Sequence, residues 1–330
     1  MAAELDDNRK PVEETRQPTA DLLIHSAAEL VTVAGASHAP KRGRELGDIG
    51  IIRDGAVAVA RGRIVAVGTT GEVRAAVHIG PETHVIDASG KTVMPGFVDP
   101  HTHLVHMGSR EFELGMRLSG RTYLEILQQG GGILNTVAAT RRATLAQLVE
   151  GARRRLDVML AHGTTTVEAK SGYGLTTESE LRMLRAVQQL AQEHPVRLVS
   201  TFMGAHAVPA EDRDDPERFV QRVIDEMIPA VAAEGLAEFC DVFCEEGVFT
   251  VDQSRRILEA GKVAGLRPKV HADEIVSFGG AELAAEVGAI SADHLVHASQ
   301  EGIRRMAQTG VVAVLLPATS LFLMSQKFAP

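Results

Sequence analysis

The chain has 330 residues, 45% of them hydrophobic, a formal net charge of -9 and scattered basic residues. That length exceeds one ordinary domain and suffices for a large core, while the acidic balance argues against a nucleic-acid-binding surface. No apolar run is long enough to span a membrane, and the polar start Met1-Ala-Ala-Glu-Leu-Asp-Asp lacks the apolar segment of a signal peptide, so a cytoplasmic protein with small-molecule partners is expected.

Residues 1–20, rich in charge and proline, are expected to form a disordered tail. Residues 21–93 hold short β-type runs punctuated by glycine, among them Ala56-Val-Ala-Val-Ala60 and Arg63-Ile-Val-Ala-Val-Gly68, and predict a small sandwich-like β domain. From 94 to 330 the pattern changes to strands alternating with helices. Strands are predicted at 94–99, 163–168, 197–203, 239–244, 267–271, 290–294 and 310–316. Capping-box patterns Thr144-x-x-Gln147, Thr177-x-x-Glu180 and Thr250-x-x-Gln253 mark helix starts between them. The class is α/β, and a (β/α)8 TIM-type barrel is favoured over an open doubly wound sheet because no Gly-x-Gly-x-x-Gly turn follows the first strand. Cys240 and Cys244 share one face of a predicted strand and read as buried free thiols.

The chemistry gathers at predicted strand ends. In Pro95-Gly-Phe-Val-Asp-Pro-His-Thr-His103 an extended backbone sends His101 and His103 to the same side, as one cation requires. His271 and His294 end two further strands; three nitrogen ligands with one open position make the catalytic zinc pattern, and spacing alone does not say which of these two would bind directly. Asp273 and Glu274 compete to handle the proton of a bound water, either one being equally explicable as a carboxylate at a helix N-terminus. Arg110 suits a substrate carboxylate. Tyr173 lies between glycines in Ser171-Gly-Tyr-Gly174, Tyr123 opens a helical segment, and His206 ends the third barrel strand; all are candidates for substrate contact. Gln129-Gly-Gly-Gly-Ile133 offers close backbone approach or a hinge, and Glu245 with Glu246 offers a weaker second-metal site.

With Gly108-Ser-Arg-Glu-Phe-Glu113, Glu168-Ala-Lys-Ser-Gly-Tyr-Gly174, Phe202-Met-Gly-Ala-His206 and Val270-His-Ala-Asp-Glu274, these motifs resemble the amidohydrolase superfamily and, within it, the imidazolonepropionase family. The resemblance runs from about Leu22 to the last residue. It implies one zinc or iron ion on His101, His103 and His271, with Glu274 and His294 catalytic, and with Arg110, Tyr123, Tyr173, His206 and Glu274 holding the substrate. The implied reaction is hydrolysis of the cyclic amide of 4-imidazolone-5-propanoate to N-formimino-L-glutamate, in histidine degradation, with a homodimer suggested by the family only. It also implies a further ligating aspartate from an eighth strand beyond Pro330. The chain is therefore expected to be a truncated member with open strand edges. A deaminase on the same fold and a non-catalytic scaffold are the competing expectations.

Overall fold

In the computed structural model, which describes residues 17–35, 40–121, 125 and 131–330, the chain divides into two units, at Pro95 and Gly96. The expected tail at 1–20 lies outside the described residues except at its end, where Thr19 bridges His78 and Ala20 is buried.

The first unit contains β1 (Leu22–Val31), β2 (Ile51–Ala60), β3 (Arg63–Thr69), β4 (His84–Asp87) and β5 (Thr92–Val93). These strands form one mixed sheet in the order β3-β2-β1-β4, with β5 also pairing β1, rather than two sheets face to face. The short helix Thr70–Ala76 packs on it through Val73, which with Val77 just after the helix joins Leu23, Ala56 and Ala58 in a small core. A capping box missed in the sequence starts this helix: Thr69 accepts from the Glu72 amide, and Glu72 accepts from the Thr69 amide.

The second unit contains seven parallel strands in sequential order: β6 (Phe97–Thr102), β7 (Thr164–Lys170), β8 (Arg197–Ala205), β9 (Phe239–Cys244), β10 (Arg267–Ala272), β11 (Ser291–His294) and β12 (Val312–Val314). They curl into a nearly closed barrel, bringing His101 at the β6 edge against Asp293 on β11. Helices alternate with the strands. Leu148, Val149, Ala152 and Leu156 form the buried stripe of helix Leu145–Ala161, and Ser254, Ile257, Leu258 and Gly261 that of Val251–Val263. The Thr144 and Thr250 boxes form as predicted.

The third predicted box does not form. Thr176 caps helix Thr177–Glu193 by accepting from the Ser179 amide, and Glu180 turns inward instead.

Side-chain alternation along the strands separates two environments. Val167 and Ala169 on β7, Cys240, Val242 and Cys244 on β9, and Val270 and Ala272 on β10 lie in the apolar clusters beneath the helices. Both cysteines are buried and free, as expected. The intervening Glu168, Lys170, Asp241, Lys269, His271, Ser291 and Asp293 meet one another inside the barrel. Barrel interiors are usually filled by branched apolar residues; this one holds a network of charged and polar side chains. No helix among the described residues is long and apolar enough to cross a membrane.

Candidate active site

At the C-terminal ends of the strands the rings of His101, His103, His206, His271 and His294 converge. His101 and His271 have centroids 4.5 Å apart, His101 and His294 5.1 Å, and His103 and His206 stack at 4.3 Å. Among the described residues, three groups each bring their ligand atoms within 4.8 Å of one another: His101, His271 and His294; His103, His206 and His271; and Asp241, His271 and Asp293. His271 belongs to all three.

Orientation of the rings is fixed by what their Nδ1 atoms face. His103 Nδ1 lies 3.0 Å from the Ser171 carbonyl and His206 Nδ1 3.1 Å from that of Gly172. A carbonyl oxygen only accepts, so each ring carries its proton on Nδ1 and leaves Nε2 with a lone pair. His101 Nδ1 lies 2.7 Å from Asp293 Oδ2. His271 Nδ1 is 3.0 Å from Asp241 Oδ2 but without hydrogen-bond alignment, and neither of its buried ring nitrogens has a hydrogen-bond partner. A fully buried imidazole left so is costly unless its lone pair meets a cation, so the donor set fits a metal ion backed by carboxylates.

The adjacent acids separate. Asp273 accepts from the amides of Phe278, Gly279, Gly280 and Ala281 at 2.8–3.2 Å and so opens helix Gly280–Glu286. Both of its oxygens are engaged in shaping the loop. Glu274 faces the cluster, its Oε1 3.3 Å from His294 Nδ1. Burial, and secondarily the charge of Glu245, push its pKa up to about 7. Glu245 is not placed as a second-metal bridge, because its oxygens accept from the amides of Ile275, Val276 and Glu246. Burial drives His294 down to about 3 and His206 to about 4, so both rings are neutral near pH 7.

On the other side Arg110 makes a two-pronged pair with buried Glu113, at 2.9 and 3.1 Å, and Glu113 also accepts from the Gly132 amide. Arg110 reaches the hydroxyl of Tyr173, whose ring lies 5.1 Å from His103 and 5.3 Å from His206. The turn bearing Tyr173 is held by Glu180, which accepts from the amides of Gly172, Gly174 and Leu175. At Gly172, with φ +108°, a Cβ would lie 2.8 Å from the His206 side chain, so only glycine fits. Tyr123, and the start of the glycine-rich run at 129–130, lie outside the described residues.

Sequence reasoning gave no site role to Lys170, Asp241, Asp293 or Glu113, and read Glu180 only as a capping-box partner. A signal existed for the first three, as ionisable residues at alternate positions of otherwise apolar parallel strands.

A family model described as "Amidohydrolase family" matches residues 84–128. Curated relatives called imidazolonepropionase include proteins of Shouchella clausii (60% identical over 92% of this chain and 68% of its own length), Geobacillus kaustophilus (60%, 92% and 72%) and Alkaliphilus metalliredigens (57%, 94% and 73%). The chain thus spans about seven-tenths of the length of these relatives. Among solved structures, an adenosine deaminase from Xanthomonas campestris with bound zinc superposes with a TM-score of 0.63 at 18% identity, over 96% of this chain and 66% of that one. An atrazine chlorohydrolase from Arthrobacter aurescens complexed with zinc gives 0.61 at 17%, over 94% and 68%. At that identity the likeness speaks for the barrel fold.

Proposed function

The chain belongs to the imidazolonepropionase family, and from that premise we propose that His101, His103 and His271 hold one metal ion at which the cyclic amide of 4-imidazolone-5-propanoate is hydrolysed to N-formimino-L-glutamate, a step of histidine degradation. His271 carries the reading, being buried with both ring nitrogens unpartnered where all three candidate ligand groups meet.

The imidazole set suits zinc or iron. When bound, such an ion lowers the pKa of a water toward about 7 and polarises the ring carbonyl. In the reaction, water adds to the ring carbonyl carbon and the carbon–nitrogen bond opens, leaving a carboxylate on carbon and the proton on nitrogen. Glu274, with a pKa near 7, is suited to accept the water proton and pass it to the leaving nitrogen. Neutral His294, 3.3 Å away, orients that carboxylate. Arg110, braced by Glu113, would meet the propanoate carboxylate, with Tyr173 and His206 lining the ring. Tyr123 is retained as a candidate substrate contact from the family resemblance.

The test is to strip the purified chain of metal, restore zinc or ferrous iron, and follow N-formimino-L-glutamate formation from 4-imidazolone-5-propanoate. We expect metal-dependent turnover that His271→Ala abolishes. Turnover indifferent to that substitution would remove His271 from the site.

A further inference from the structure

Beneath the imidazoles lies a charge cluster to which the proposed reaction gives no part. Lys170 ends β7, is wholly buried, and places Nζ 2.8 Å from Glu168 Oε1, 2.7 Å from Asp241 Oδ2 and 3.1 Å from Asp293 Oδ2. Those two aspartate oxygens are the same atoms that face the proposed ligands, Asp293 Oδ2 toward His101 and Asp241 Oδ2 toward His271. The other oxygens are also engaged. Asp241 Oδ1 accepts from the amides of Val242 and His271, and Asp293 Oδ1 from the Ser291 hydroxyl. One layer lower, Glu168 accepts from the Thr201 hydroxyl and pairs with Lys269.

An isolated buried ammonium would be costly, but here carboxylate oxygens of Glu168, Asp241 and Asp293 surround Nζ at 2.7–3.1 Å and compensate it. The charge stays. Asp241, His271 and Asp293 have the residue types and spacing of a metal-binding donor set, with ligand atoms within 4.8 Å of one another. The ammonium already lies within hydrogen-bond distance of a carboxylate oxygen on each of the two aspartates. A divalent ion there would compete for the same oxygens and meet a like charge in a low-dielectric interior.

We propose that Lys170 is a resident cation filling the position that a second metal ion would take between Asp241 and Asp293, so that the centre takes one ion and His101 and His271 are held with Nε2 turned toward it. Lys170 is thus a positioning residue acting through Asp241 and Asp293. The inference rests on the ligand reading given above, and its test separates the two.

Metal-stripped parent, Lys170→Ala and Lys170→Ala/Asp241→Asn chains are titrated with zinc against a chromophoric chelator. The parent is expected to take one ion, Lys170→Ala two, and the double variant one again. A folded Lys170→Ala chain that still takes a single ion overturns the proposal. A parent that takes no zinc would remove the ligand reading instead. In that case, or if Lys170→Ala does not fold, nitrogen-15 shifts of the histidine rings in the metal-free parent decide. His101 and His271 are expected as Nδ1–H tautomers, and either ring found as Nε2–H overturns the proposal.

Discussion

The two halves of the histidine cluster are oriented by different physics. His101 and His271 face buried aspartates that share one ammonium, whereas His103 and His206 face the backbone carbonyls of adjacent residues in a single turn. A carboxylate behind an imidazole raises its basicity and couples it to every charge beneath. A carbonyl fixes direction without adding charge, so that half depends on the shape of the turn. The first half is governed by electrostatics and the second by backbone geometry held by Glu180.

The largest effect should come from breaking the geometric half. Glu180→Ala strands the amides of Gly172, Gly174 and Leu175, and at about 1–3 kcal/mol for each buried donor left unpaired the stability loss should reach about 3 kcal/mol or more, read by urea unfolding. An unchanged midpoint would show that the turn holds itself. In the electrostatic half, Asp293→Asn should lower metal affinity about 10–100-fold, as measured by chelator competition. Equal affinity would mean that the charge behind His101 is idle.

The smallest effect sharpens the comparison at its boundary. Glu274 must be ionised to accept a proton, so activity should rise with pH through about 7. Burial is the main cause of that raised pKa and the Glu245 charge the lesser, so Glu245→Gln should move the acid limb of kcat to lower pH by less than about one unit. A shift to higher pH would contradict the assignment of Glu245 as a repelling neighbour.

Much of the fold could be read from the chain. Short apolar runs alternating with capped amphipathic segments gave seven strands within a few residues of their observed bounds, because strand and helix periodicities are local properties. The Thr177 box failed by one residue for a tertiary reason. Glu180 satisfies three loop amides ahead of its helix, a demand no local pattern announces. The ambiguity between Asp273 and Glu274 had the same origin. One side chain closes a loop and the next faces the cluster, and their spacing along the chain is silent on which does which.

The sequence by itself determined the residue types and their places at strand ends: His101 and His103 on one side of an extended segment, His271 and His294 ending later strands, and a family resemblance through the motifs around them. Only the tertiary structure decided which nitrogen His103 and His206 present, which of two acids faces the cluster, and that Lys170 lies among Glu168, Asp241 and Asp293. The reason is physical. Strand periodicity sets the side to which a residue points, but a tautomer, a shifted pKa or a buried charge is set by groups that only barrel curvature brings within about 3 Å.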